Sequence, residues 1–431
     1  MIAAISNLLK FKNDPAAFLR RQALKGDIVS FRLGPASVVL FNHPRLVREM
    51  MVGKQKALDK GPLVKELGKL TLGTSVFTAE REDHRKSRRL IQPVFHPHRL
   101  EVYAQCMLRA ANRLSDSLKS GDEVNMSAAV ERVTIEAVGT SLFGASLARN
   151  SKEIFAAIRG VLEMPIPIYP NVLRVLSYRL FPTRQKQANR RLDKLIYRMI
   201  AERRAAEYPS DDLLTMLIQA QEDDVGRFTD QQVRNETFTL LVAGHETTAL
   251  ALGWSIHVLC EHPELQEELG AEAHHLTEFG WDSLAALPKQ SQFLNELLRV
   301  YPSGWLMERN ATEAVEIGGL AIKPGTVILA SQYLIHHDPR FWDEPEVFRM
   351  DRWDSPTARK KRTEDFTYFP FGAGARTCIG EHFARAEIIL VLATLLKKWR
   401  FQLVRPVAIK PTITLHPSEP IRVVVRQTGT A

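Results

Sequence analysis

Residues 369–380 read FPFGAGARTCIG, and they end where a long helix, 381–398, is predicted. Cys378 therefore lies in a glycine-rich loop beside a helix N-terminus, where the positive end of the helix dipole favours a thiolate. The alternative is a buried, inert cysteine beside a chance glycine loop, which is the usual reading of a lone cysteine. Several constrained positions agree here at once, so the loop predicts a ligand site.

The other loop residues have uses that suit the same site. Gly372, Gly374 and Gly380 allow the backbone to approach the sulfur and a flat macrocycle closely. Arg376 can meet an anionic carboxylate. Backbone N–H groups directed at the sulfur would adjust its electron donation.

A second informative stretch is AGHETT, residues 243–248, in the middle of a long apolar helix. That helix is predicted to begin at a capping box, Thr229 with Gln232, and to end at Pro263. A threonine hydroxyl bonded back to the carbonyl of residue 243 or 244 would open the helix and admit a diatomic ligand. The neighbouring carboxylate could then relay protons. The alternatives are a paired buried carboxylate and ordinary threonine packing.

The rest of the chain predicts a mainly α protein with a minor β part, in one large unit of residues 1–431. Helical periodicity covers 44–52, 80–221, 264–276, 288–300 and 381–398. Strand-like alternation covers 28–41, 312–334 and 400–426. Residues 60–78 and 338–358 read as loops.

Composition limits the function further. The net charge of +9 predicts either solvated helix faces or a docking surface for an acidic partner, with no nucleic-acid module. Three cysteines without a CxxC pair suggest neither a zinc cage nor a disulfide scaffold, and they fit a reducing, cytoplasmic setting.

Two apolar segments raise the question of a membrane. Residues 237–260 are long enough to span a bilayer but carry polar groups in mid-span, so we expect a buried helix and no transmembrane anchor. Near the N-terminus, Met1, Ile5, Leu8 and Leu9 would form one helix face, expected to pack on the protein body rather than on a membrane.

The loop matches the haem-binding signature of the cytochrome P450 family in order and spacing, at Phe371, Gly374, Arg376, Cys378 and Gly380. The chain resembles this family over nearly its whole length. The resemblance implies a triangular helical body with a long central helix and small sheets, and haem b ligated by the cysteine thiolate. No fused reductase is expected.

The resemblance also assigns other residues. Glu246 and Thr247 match the acid–alcohol pair that supplies protons to dioxygen, with Ala243 next to the haem. Glu296, Arg299 and Arg352 match a structural cluster that locks the loop beneath the haem. The haem propionates would meet His84, Arg88, Arg309 and Arg376; His84 departs from the tryptophan that is frequent there but keeps an N–H donor.

The implied reaction is hydroxylation or epoxidation of a hydrophobic fatty acid, terpenoid, carotenoid or steroid-like molecule. NAD(P)H would supply electrons through a separate ferredoxin or flavodoxin with its reductase, to a monomeric enzyme. The expected pocket includes Val76, Phe77, Leu240, Ala243, Trp305, Leu306 and Met307, with the region 160–182 and a proline-rich lid at 164–170.

Three other readings stay open from sequence. The first is a peroxide-dependent peroxygenase or an isomerase on the same fold, although such relatives commonly lack the acid–alcohol pair. The second is a non-enzymatic haem carrier or gas sensor, although the chain has no output module. The third is a helical protein without a cofactor.

Overall fold

The computed structural model describes residues 2–144, 184–205, 212–220, 228–355 and 357–428. The predicted pocket region 160–182 and lid 164–170 lie outside them. The described helices are α1 (Ile2–Asn13), α2 (Pro15–Ala23), α3 (Pro44–Arg48), α4 (Pro62–Leu67), α5 (Arg81–Ile91), α6 (Pro97–Ser117), α7 (Met126–Phe143), α8 (Arg184–Arg204), α9 (Leu213–Gln219), α10 (Asp230–Glu261), α11 (Pro263–His274), α12 (Pro288–Val300), α13 (Gln332–His336), α14 (Ala358–Glu364) and α15 (Glu381–Lys398).

The strands are short, and the mainly α class with a minor β part is confirmed. They are β1 (Ile28–Leu33), β2 (Ala36–Phe41), β3 (Leu58–Lys60), β4 (Glu123–Asn125), β5 (Met307–Ala311), β6 (Val315–Ile317), β7 (Leu320–Ile322), β8 (Val327–Ala330), β9 (Trp399–Leu403), β10 (Ile409–Pro411), β11 (Leu415–Pro417) and β12 (Arg422–Gln427). Among the described residues, no helix has both the length and the hydropathy that a membrane crossing requires.

The chain forms two compact units, each assembled from separate stretches of sequence. The first comprises Met1–Val64, Pro288–Cys378 and Pro406–Glu419, and the second comprises Lys65–Leu287, Ile379–Arg405 and Pro420–Ala431. The expectation of a single domain stays a prediction.

A five-stranded sheet organises the first unit, with strand order β1-β2-β8-β5-β3. The predicted hairpin forms β1 and β2, and β2 pairs in parallel with β8. Its apolar core includes Phe41, Met51, Ile328 and Phe369, so the first residue of the cysteine loop is anchored in that core.

The second unit is a helical body in which α10 packs on α7 and α15 packs on α6. The capping box of α10 is present: the Thr229 side chain accepts from the Gln232 N–H, and the Gln232 side chain accepts from the Thr229 N–H. The helix has 32 residues and is therefore about 48 Å long. A Cβ at Gly244 would lie 3.2 Å from the Val138 side chain of α7, so glycine permits the close packing of these helices.

The prediction of a loop at 60–78 is partly wrong. That stretch contains the end of β3, helix α4 and a π-helical turn, Gly68–Leu72. Pro62 has no backbone N–H, and it is tolerated in the first turn of α4 because an N–H there would have no partner within the helix. The segment is short and contains glycines and a proline, so its sequence pattern does not indicate a helix.

The predicted apolar face of the N-terminal helix is also wrong in part. Ile5 and Leu9 are exposed, whereas Phe11 is buried against the edge of Phe18, with ring centroids 5.7 Å apart. Met1 lies outside the described residues. An aromatic partner in α2 decides which face of α1 packs, and spacing within α1 does not reveal it.

Candidate functional site

The cysteine loop is held by its own backbone. The Cys378 N–H donates to the Phe371 carbonyl at 2.9 Å, and the Gly372 N–H donates to the Phe369 carbonyl at 3.0 Å. Gly374 has φ +67°, and a Cβ there would collide with the Met51 carbonyl. Glycine is therefore required at 374, and the crowding comes from the protein's own backbone.

Accessibility separates the three cysteines. Cys378 is exposed, Cys106 is buried and Cys260 is half-buried. Burial, assisted by the charge of Glu261, raises the pKa of the Cys260 thiol to about 12, so it stays protonated. Only Cys378 combines exposure with a helix that begins three residues later, at Glu381. The Cys378 sulfur is therefore placed to coordinate a metal-containing group that approaches from outside the loop.

Donor side chains predicted to meet carboxylates occur in both units. In the first, Arg309 is buried on β5, where it donates to the Glu308 carbonyl at 2.8 Å and contacts the Met51 sulfur at 3.4 Å. Arg376 is half-buried at the end of a 3₁₀ turn. In the second, His84 is buried on α5 with Arg88 half-buried one turn later. Each unit thus carries donors that fit an anionic macrocycle.

The AGHETT segment lies on a continuous helix. The Thr247 hydroxyl donates to the Ala243 carbonyl at 2.8 Å, as expected, but the helical pattern runs unbroken, so the expected opening of the helix is not seen. Ala243 is exposed and Glu246 and Thr247 are half-buried, in a helix whose other residues are mostly buried. The middle of α10 therefore presents a surface that a bound molecule could cover.

His245 explains why that surface faces away from α7. Its Nδ1 lies 2.8 Å from the Thr134 hydroxyl of α7. The hydroxyl itself donates to the Glu131 carbonyl at 3.2 Å, so its oxygen accepts from the ring N–H. Burial lowers the pKa of His245 to about 4, against the opposing charge of Glu246, so the ring is neutral near pH 7. Sequence reasoning did not identify this anchor.

Glu387 on α15 is a second buried group that sequence reasoning missed. Burial raises the pKa of its carboxyl well above the ordinary value, so folding favours the protonated form. Thr248 is its polar neighbour, but the Thr248 hydroxyl donates to the Gly244 carbonyl at 2.6 Å. The helical pattern of 381–398 gave no sign of a buried charge-bearing residue beside α10.

The predicted structural cluster comes together in the first unit. Arg299 donates to both carboxylate oxygens of Glu296, at 2.8 and 3.0 Å, and Arg352 donates to the same carboxylate at 3.2 Å. The Trp353 indole adds a donor at 3.0 Å and the Arg349 N–H another at 2.9 Å. Glu296 and Arg299 are fully buried, so these hydrogen bonds offset the cost of removing their charges from water.

His336 connects that cluster to the cysteine loop. The Phe369 N–H donates to Nε2 of His336 at 3.1 Å, so Nδ1 carries the proton and donates to the Arg299 carbonyl at 3.2 Å. The ring also stacks on Tyr368. Burial, with the charge of Arg299, keeps the pKa of His336 well below its ordinary value. A buried histidine has no sequence signature of this kind, so it was missed.

The expected pocket residues differ in exposure. Phe77 is exposed, Val76, Leu306 and Met307 are half-buried, and Leu240 is buried. Trp305 is buried, and its indole N–H donates to the Thr412 carbonyl at 2.9 Å. That bond makes Trp305 part of the core of the first unit. Contact of these side chains with a substrate stays a prediction.

Known proteins resemble the chain over most of its length. The cytochrome P450 family profile matches residues 2–425. Two Streptomyces melanosporofaciens enzymes are similar: cyclooctatin synthase, 34% identical over 92% of this chain and 88% of its own, and cyclooctat-9-en-7-ol 5-monooxygenase, 32% identical over 90% and 85%. Pentalenene oxygenase of Streptomyces avermitilis is 28% identical over 95% and 92%. With the exposed Cys378 thiol in its glycine-rich loop, these matches establish that the chain is a monooxygenase of the cytochrome P450 family.

Proposed function

We propose that the Cys378 sulfur would ligate the iron of a haem b and that the enzyme inserts one oxygen atom from O2 into a terpenoid. The observation that carries this proposal is the exposed Cys378 thiol at the end of a loop whose backbone turns are fixed by Phe371 and Gly374. When bound, haem with a thiolate ligand supplies dioxygen activation. Four hydrogen-bond donors, the side chains of His84, Arg88, Arg309 and Arg376, would hold the two propionates.

The roles of α10 follow from its exposed middle. The Thr247 hydroxyl, which now donates to the Ala243 carbonyl, holds a proton that it can release toward a bound ligand. The Glu246 carboxyl, on the same half-buried stretch, replaces that proton. His245 stays neutral against α7 and sets the rotation of the helix, so it takes no part in proton transfer.

The names of the relatives support one substrate class. Of the four classes left open by sequence, we propose the terpenoid, because the similar enzymes are named for cyclooctat-9-en-7-ol and for pentalenene. The expected lining, Val76, Phe77, Leu240 and Met307, is apolar and suits a hydrocarbon that offers few polar handles.

Electrons are proposed to come from NAD(P)H through a separate ferredoxin or flavodoxin. Arg85 and Arg89 are exposed on α5, beside the residues proposed to hold the haem, and positive charge there would attract an acidic carrier. All three cysteines are thiols, which suits the reducing cytoplasm. We propose a monomer in that compartment.

The deciding experiment exchanges sulfur for oxygen. Cys378→Ser should lose the red-shifted band of the reduced, CO-bound protein and its monooxygenase activity, whereas Cys260→Ser should keep both. A Cys378→Ser protein with the original band and turnover would refute the ligand assignment. Turnover driven by peroxide but not by a ferredoxin or flavodoxin system would instead favour a peroxygenase.

A further inference from the structure

Helix α1 directs a row of aliphatic side chains into solvent. Ile2, Ile5 and Leu9 are 86%, 51% and 62% exposed. Their spacing of three and four residues places them on one helix face, here called the aliphatic stripe. Scattered exposed aliphatics are ordinary, but three on a single face of a short helix form a continuous apolar surface.

The remainder of the first unit fixes the stripe in this outward orientation. On the opposite face, Phe11 is buried, the Asn7 side chain donates to the Arg32 carbonyl at 3.1 Å, and the Ala4 carbonyl accepts from the Gly34 N–H at 3.0 Å. Rotation of α1 to bury the stripe would break these contacts. Because these contacts hold the helix in place, the stripe stays available to an external partner.

Charge indicates the chemistry of that partner. The exposed lysines Lys10 and Lys12 lie on the two sides of the stripe, and α1 has no acidic residue. The next acid along the chain, Asp14, uses its carboxylate to cap α2 by accepting from the Ala17 N–H at 2.9 Å. An apolar row with lysines on both sides fits a surface that is apolar inside and anionic at its rim.

We propose that α1 lies in the interfacial plane of an anionic lipid membrane, with the aliphatic stripe among the acyl chains and both lysines at the headgroups. Twelve residues extend about 18 Å, which is too short to cross the hydrocarbon core. A second copy of the chain fits less well because symmetric pairing would bring the lysines together. The surface area of three side chains is also far smaller than the roughly 800 Å² that each partner buries in a stable protein interface.

The test measures partitioning of the full, haem-loaded chain into lipid vesicles. Phosphatidylcholine vesicles containing phosphatidylglycerol should bind it in low salt, whereas pure phosphatidylcholine should bind it more weakly. Added salt should reduce the difference because it screens the lysines. The double variant Ile5→Glu with Leu9→Glu should lower the partition coefficient roughly tenfold or more, because two aliphatic side chains leave the acyl region.

The matched control introduces the same charge at exposed valines elsewhere. Val102→Glu with Val404→Glu should bind the vesicles like the unaltered chain. As a direct readout, Leu9→Trp should show a blue-shifted emission when anionic vesicles are added, and Val102→Trp should not. Equal vesicle binding by both double variants, or none by the unaltered chain, would overturn the proposal. A change of oligomeric state in the Ile5–Leu9 variant without lipid would overturn it too, in favour of a second copy.

Discussion

The Glu236 carboxylate of α10 accepts a hydrogen bond from the Val76 N–H at 2.9 Å. Its neighbour Asn235 donates to the Thr74 carbonyl at 3.2 Å, and a Cβ at Gly73 would collide with the Asn235 side chain. The first turns of α10 therefore hold the loop that carries Val76, a predicted pocket residue. The position of this loop is decided by polar groups of a helix far away in sequence.

The stability of this contact should depend on pH. Burial raises the pKa of Glu236 to about 7, against smaller opposing effects of the Val76 N–H and the Ser87 hydroxyl. Since the folded-state pKa lies above the ordinary 4.5, the stabilisation is present below pH ~4.5 and is lost as pH rises through ~7. Glu236→Gln, neutral at every pH, should gain about 2.5 kcal/mol in free energy of unfolding relative to the unaltered chain as pH rises from 5 to 8.

Denaturant unfolding of both proteins across that pH range checks this expectation. Glu82→Gln on α5 is the control, because Glu82 is exposed and pairs with Arg85 at the surface. Its difference from the unaltered chain should stay flat with pH. A flat difference for Glu236→Gln as well would show that the carboxyl is ionised in the folded protein throughout.

Glu296→Ala should yield protein that is poorly loaded with haem. The change leaves Arg299 and Arg352 without their shared carboxylate, and removing one member of a buried ion cluster costs about 3–5 kcal/mol. His336 would pass the disturbance to Phe369, at the start of the cysteine loop. The ratio of haem absorbance to protein absorbance measures the loading.

The control for that change is Glu364→Ala, which removes an exposed carboxylate 3.9 Å from Lys360. Such surface pairs contribute little, so its haem content and stability should match those of the unaltered chain. Normal haem loading of Glu296→Ala would show that the cluster does not support the loop.

Thr247→Ala should uncouple electron use from product formation. It removes the hydroxyl that now donates to the Ala243 carbonyl, and Thr247→Ser retains that hydroxyl. Product formed per NAD(P)H should fall roughly tenfold or more in the alanine variant, with a matching rise in peroxide, and should recover with serine. Equal product yield in all three proteins would exclude a proton-transfer role.

Much of the molecule follows from local pattern. The capping box at Thr229 and Gln232 marked the start of α10, and the alternation of 28–41 marked the hairpin. The signature around Cys378 indicates the family without tertiary information, because a ligand loop needs particular residue types at fixed spacing. The spacing of Glu296 and Arg299 likewise placed them on one helix face.

Other features depend on contacts between residues that are distant in the chain. Neighbours of His336, Glu387 and His245 come from other elements, so their burial and protonation have no local signal. The same holds for α1, where packing of Phe11 on Phe18 turned the aliphatic stripe outward. Sequence by itself determined the elements and the ligand loop, because hydrophobic period, caps and glycines act within a few residues. Tertiary structure alone decided which polar groups are buried and which apolar face stays in water, because desolvation depends on what folds against them.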